Sequence, residues 1–188
     1  MRMDRHERAF HEAEKLVGRF AWVVDQWLRE DPLTEASAGE LTRAQWEALR
    51  YVGQHDPAYV GQLSSGLAIS PPAATKAIDR LFAKGLVDRR EDPQDRRQHL
   101  LSVTEEGQGH LDQIAARQEQ RLKSVLDRLE PRDRQALLKG LRAFLTAAYG
   151  QDHPLVERSC ERCGVACFEA CVVHQAHVAL YGTPVARV

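Results

Sequence analysis

No stretch of this 188-residue chain approaches the roughly 18–20 consecutive apolar residues that a membrane-crossing helix needs. The opening residues, Met1 to Glu14, are rich in Arg, His and Glu and lack the apolar segment of a secretion signal. A cytoplasmic protein with no membrane partner is therefore expected. Excess positive charge is also missing, since 26 Lys and Arg stand against 27 Asp and Glu for a net charge of -1. That excludes a globally basic nucleic-acid binder but not a locally basic face, because affinity for a duplex follows local phosphate neutralisation. The chain has no Gly-rich phosphate loop and no nucleophile elbow, and its carboxylates fall on faces expected to be solvated, so an enzyme is not expected. Internal repeats and low-complexity stretches are lacking too. Cysteine is absent before Cys160, and all four lie between Cys160 and Cys171. What remains, 43% apolar and 28% charged, is the composition of a soluble globular protein.

Apolar spacing divides the chain into helices. Leu16, Phe20, Val23, Val24, Trp27 and Leu28 recur at helical period, predicting a first helix from about Asp4 to Arg29 that Asp31-Pro32 ends. A polar loop follows from Thr34 to Glu40. Thr42 with Gln45 three residues on forms a capping box, and Leu41 is placed to staple the entry of a second helix. Trp46, Leu49 and Val52 give its inner face; Gly53 and Asp56-Pro57 close it. A short third helix turns Val60, Leu63 and Leu67 inward. Ser70 then caps a fourth helix with Pro71 at its first position, where the missing donor costs nothing. Ala74, Ala77, Ile78, Leu81 and Phe82 are its expected buried side, and Lys84-Gly85 its stop. Leu86-Val87 and Leu100 to Val103 read as two short strands around a polar loop from Asp88 to Arg97. Thr104 caps a helix with Leu111, Ile114, Leu122, Val125 and Leu129 inward. Pro131 starts another, with Leu137, Leu138, Leu141, Phe144 and Leu145. The fold class expected is mainly α with one small β hairpin, and the long outer helices carry more apolar surface than one small core covers.

The helix from Pro71 has the chemistry of a groove reader. Its outer face presents Pro72, Ala73, Thr75, Lys76, Asp79 and Arg80, with Ser70 at its start. Short or hydrogen-bonding side chains let a backbone approach the major groove, and Thr75, Lys76 and Arg80 can meet base edges or phosphates. Arg89, Arg90, Arg96 and Arg97 gather at the hairpin, where arginines can enter a narrow minor groove. Two plainer readings compete: a solvated helix face, and a hairpin whose arginines are paired by Asp92 and Asp95.

These segments together resemble the MarR (multiple antibiotic resistance regulator) family of winged-helix repressors. The resemblance rests on Leu41-Thr42-Arg43-Ala44-Gln45-Trp46, on Ile69 to Leu81 in the recognition-helix position, and on Lys84-Gly85-Leu86-Val87 leading into the wing. Asp95 and Arg97, followed by Val103-Thr104-Glu105-Glu106-Gly107, match the family's wing pattern. It implies a winged helix-turn-helix over 41–104, with dimerisation helices over 4–30 and 105–149. It further implies a homodimer on a pseudo-palindromic double-stranded DNA operator, repressing until a small molecule, metal or oxidant loosens it. A ligand pocket would lie near Trp22, Trp46 or His55. Ala68 departs from the glycine common in the helix-helix turn, and the tail beyond Tyr149 lies outside the family pattern. A winged helix that binds protein instead of DNA is a competing reading, and a redox enzyme built on the cysteines a weaker one.

The tail, 155–182, reads as a metal-binding segment. Cys160-Glu161-Arg162-Cys163-Gly164 has the form of a metal knuckle. Cys167 and Cys171 are spaced to share one helix face, which His174 and His177 continue. A bend near Gly164 is required, since one straight helix would hold Cys160 and Cys171 roughly 16 Å apart. Zinc on Cys160, Cys163, Cys167 and Cys171 is the first expectation, with His174 as a substitute ligand. An iron-sulfur cluster, a metal-free thiol switch and plain buried cysteines are the alternatives.

Overall fold

The structure, a computed structural model, describes residues 4–151, 153–163 and 171–182. Helix α1 (Arg5–Asp25) opens with a reciprocal capping box between Asp4 and Glu7. It runs without a break through a π-helical turn, Gln26–Glu30, into α2 (Asp31–Ala36). Asp31-Pro32 was expected to end the helix, and it does not. Proline lacks only a donor and crowds the preceding turn. The wider π turn lies immediately before it, and Asp31 keeps helical angles while bonding back to Gln26.

Helix α3 (Arg43–Gln54) starts at the expected box of Thr42 and Gln45, with Leu41 buried at its entry. Arg43 binds this helix to the π-helical segment. Its guanidinium reaches Asp25 at 2.8 Å, Glu30 at 2.9 Å and Glu47 at 3.2 Å. The Arg43 hydrogen bond holds the Asp25 carboxyl below the usual carboxylate range, and the same bond raises Arg43.

Helices α4 (Val60–Leu67) and α5 (Pro71–Ala83) pack on α3 around one apolar core. Leu49, Leu63, Ile78, Leu81, Leu101 and Ile114 are its largest fully buried side chains. Strand β1 (Val87–Glu91) pairs antiparallel with β2 (His99–Val103) in the register Val87↔Val103 to Glu91↔His99. The ladder takes in Asp88 to Glu91, which composition had assigned to the loop. A polar run on a two-stranded edge needs no burial to pair, because the ladder is made by the backbone. Helices α6 (Glu105–Leu126) and α7 (Pro131–Tyr149) follow, then α8 (His153–Glu161) and α9 (Val172–Tyr181).

Burial departs from expectation along the long helices. Leu122, Leu138 and Phe144 were expected inward and are exposed, as are Leu16, Phe20 and Val23 of α1. Phe82 is 50% exposed instead of buried, since it lies one position past the inward row of α5. A second small apolar cluster forms where α8 and α9 fold onto α7: Tyr149, Val156, Val173 and Ala176 are buried there.

The α4–α5 turn is a Schellman-type stop. The Ala68 amide donates to Ser65 and the Ile69 amide to Ser64, each at 3.0 Å. Ala68 sits there at φ +52°, a left-handed conformation that a Cβ disfavours. Ala68→Gly is expected to raise stability by roughly 0.5–1 kcal/mol in chemical denaturation, the relieved strain exceeding the added freedom of the unfolded chain. Gly107 is under the opposite constraint. A Cβ there would stand 2.2 Å from the Leu86 carbonyl oxygen. Gly107→Ala is expected to lower stability by about 1–3 kcal/mol by the same measurement.

Candidate nucleic-acid interface

Helix α5 begins as its sequence dictates. Ser70 is extended and its hydroxyl accepts from the Ala73 amide at 3.4 Å, with prolines in the first turn. Ala74, Ala77, Ile78 and Leu81 anchor the helix in the core. The opposite face, Pro72, Ala73, Thr75, Lys76, Asp79 and Arg80, is exposed along its length. The Thr75 hydroxyl donates back to the Pro71 carbonyl at 3.0 Å, so its lone pairs and methyl remain for a neighbour.

The hairpin's arginines divide into two groups. Arg89 was expected at the loop and instead stands on β1 opposite Leu101, on the same strand face as Val87. Its guanidinium binds the Asp79 carboxylate on α5 and lies 5.4 Å from the centre of the Phe82 ring. Arg89 thus latches the wing to the exposed face of α5 and is not presented at the tip. Arg90, Arg96 and Arg97 are exposed. The competing reading, in which Asp92 and Asp95 pair this charge, is not what the structure has: among the described residues these three arginines make no ion pair. Asp95 serves the backbone instead: its carboxylate accepts the Arg97 amide at 3.0 Å and the Gln98 side-chain amide at 3.2 Å. Asp92 accepts the Tyr59 hydroxyl at 2.6 Å and the Gln94 amide at 2.8 Å. The Tyr59 bond, with the backbone donor, holds the Asp92 carboxyl below its ordinary value, and the same bond raises the Tyr59 phenol. Tyr59 precedes α4, so the wing is tied to the helix pair from two sides.

Sequence reasoning missed both ties. Period-two alternation from Val87 would have placed Arg89 on the inner strand face. The Tyr59–Asp92 pair joins residues 33 apart in sequence and leaves no local signal.

Two helices joined by a tight turn, followed by a two-stranded wing held against the second, define a winged helix-turn-helix fold. Residues 41–99 match the profile of the MarR family. The chain is similar to the uncharacterized HTH-type transcriptional regulator YwhA of Bacillus subtilis. They are 24% identical over 90 residues, which is 48% of this chain and 65% of that protein, just under two thirds of its length. Among solved structures it resembles a MarR family protein from Bacillus stearothermophilus (24% identity, 76% of this chain and 96% of the other, TM-score 0.62). It also resembles Streptococcus pneumoniae FabT in complex with DNA (14% identity, 74% and 99% covered, TM-score 0.59).

The residues suggested for a ligand pocket are separated by environment. Trp22 is 67% exposed, Trp46 is buried in the core, and the His55 ring stacks on Tyr51 at 4.0 Å. In the tail, Cys160 and Cys171 are half-buried against the second apolar cluster and Cys163 is exposed. Cys167 and Gly164 lie outside the described residues. Cys171 is extended and precedes α9, so the expected single helical face running through Cys171 to His174 is interrupted there. Backbone bonding of the kind that starts a helix replaces it, with Gln175 donating to the Cys171 carbonyl. Among the described residues no group of three or more His, Cys, Asp or Glu side chains is placed to hold a metal ion. No helix of the described residues is long and apolar enough to cross a membrane.

The wing tie makes a pH-dependent prediction. A carboxyl lowered in the folded state contributes stability above its unfolded value and loses it as pH falls through the folded value. Tyr59→Phe is expected to lower stability at neutral pH. The gap to the parent protein should narrow as pH falls below the ordinary carboxylate range, read by denaturation at a series of pH values.

Proposed function

We propose that the protein is a sequence-specific DNA-binding repressor that acts as a homodimer on a pseudo-palindromic operator. The observation that carries this reading is the exposed, small-residue face of α5 fixed beside an arginine wing by the Asp79–Arg89 latch. On this reading α5 enters the major groove, with Ala73 allowing close approach and Thr75, Lys76 and Arg80 meeting bases or phosphates. Arg96 and Arg97 enter the flanking minor groove, and Arg90 meets backbone phosphate. The Ser70 end of α5 adds amide donors suited to phosphate. The chain's likeness to a protein whose structure holds DNA supports the same partner.

Leu16, Phe20 and Val23 repeat at helical spacing on α1, and all three are exposed together with Leu122, Leu138 and Phe144. A second copy covering these stripes supplies the twofold that a palindrome requires. Release from DNA by a small molecule or by chemistry at the tail thiols would complete a regulator, and this reading requires no zinc or iron-sulfur cluster for duplex binding.

Arg97→Ala tests the wing. With duplexes that the parent protein selects from a random-sequence pool, Kd is expected to rise about five- to tenfold by fluorescence anisotropy. The slope of log Kd against log salt should fall by about 0.9. Unchanged affinity and slope would remove the wing from recognition and favour a winged helix that binds protein.

A further inference from the structure

The last four carbonyls of a helix have no partner within it. At the end of α4 two of these, Ser64 and Ser65, are taken by the Ile69 and Ala68 amides of the turn. The remaining two, Gly66 and Leu67, are taken from far along the chain. Arg162 donates from Nε to the Gly66 oxygen at 3.1 Å and from Nη2 to the Leu67 oxygen at 2.5 Å. Its cation also stands at the negative end of α4, where the helix dipole favours it. The donors thus come from the C-terminal extension, about 95 residues away and outside the segment that matches the family profile.

Arg162 is held in place by its own surroundings. It lies in the turn that ends α8, where the Arg162 amide donates to Arg158 and the Cys163 amide to Cys160. Cys160 packs on the apolar cluster that joins α7, α8 and α9. Arg50 of α3, whose guanidinium lies 5.4 Å from the centre of the Trp46 ring and whose Nε is buried, is within electrostatic reach of Arg162. Burial lowers Arg50 from its ordinary value, Arg29 adds to this, Glu47 and Cys163 oppose it, and Arg162 adds a further push. The tail therefore touches α4 directly, and its charge is felt at Arg50 of α3.

We propose that Arg162 is a positioning residue for DNA reading: the C-terminal extension acts as a strut that completes the cap of α4 and so fixes the turn from which α5 departs. The turn is where such support has most effect. Ala68 is left-handed there without being glycine, and only Ile69 separates it from Ser70, the cap of α5. A change in the conformation of the Cys160–Cys163 turn would pass to α5 through a single guanidinium. The link to DNA rests on the proposed function, whereas the strut itself does not.

Two measurements on full-length protein separate them. Hydrogen exchange without DNA reads the strut: in Arg162→Ala the amides of Ala68 and Ile69 should exchange about fivefold faster. Those at the centre of α6 should be unchanged. Arg162→Lys, which keeps the charge but not the two-point fork, should fall between. Anisotropy with the selected duplex reads the coupling, and Kd should rise about fivefold in Arg162→Ala with partial recovery in Arg162→Lys. Unchanged exchange at Ala68 and Ile69 overturns the strut. Faster exchange with unchanged Kd overturns its role in DNA reading, and a parent protein that selects no duplex overturns the DNA assignment alone.

Discussion

The geometry of this protein depends on how two short helices are held at the turn between Leu67 and Ser70. A helix of eight residues has little stability of its own, so its direction must come from what its ends and inner face touch. Leu63 and Leu67 supply the inner face, Tyr59 leads into its start, and backbone amides with a distant guanidinium occupy its end. Helix α5 inherits its direction from that arrangement, since Ser70 caps it almost as soon as α4 stops. Close packing makes the inheritance strict. Gly66 lies so near the Tyr51 ring that a Cβ would stand 2.3 Å from it, leaving α4 no room to roll.

The hairpin extends the same logic outward. Val87 and Leu101 seat it in the core, while Ala58 forms an isolated bridge with Leu101. Thr104 closes the base by donating to the Gly85 carbonyl at 2.7 Å and capping α6 through the Gly107 amide at 3.0 Å. Asp95 shapes the tip from within by binding backbone and the Gln98 amide. The carboxylates of this loop organise peptide groups and a tyrosine, so Arg90, Arg96 and Arg97 are left unpaired by them.

Most of the fold was legible because its signals are local. Thr42 with Gln45, Ser70 with Pro71, Lys84 with Gly85 and Thr104 each mark a helix end within four residues. Apolar spacing then identified the inner faces of α3, α4 and α5. It failed where composition and burial part company. Phe82 is apolar and exposed because it serves as a platform for Arg89, and Arg89 is charged and turned inward because it serves Asp79. The outer helices misled in another way: period alone says that a stripe is apolar, and a single chain leaves much of it uncovered. The π-helical turn that precedes Pro32 had no signal beyond the proline itself. As for the candidate interface, the face of α5 could be read from residue type, but the contacts that orient it join distant positions. Arg162 lay within a motif read for its cysteines, and what the structure puts to use there is the residue between them.

The Asp79–Arg89 pair bears on how such a surface senses ionic strength. An arginine neutralised by an aspartate on the neighbouring helix displaces no counterion from a duplex, and its partner withholds a negative charge from the phosphates. On the proposed reading each copy meets DNA with Lys76, Arg80, Arg90, Arg96 and Arg97 alone, in a chain whose net charge is -1. Each cation absent from the contact removes about 0.9 from the salt exponent. On that reading the latch lowers the exponent by about 0.9 per copy and puts more of the selectivity on close-range fit, whose geometry it holds.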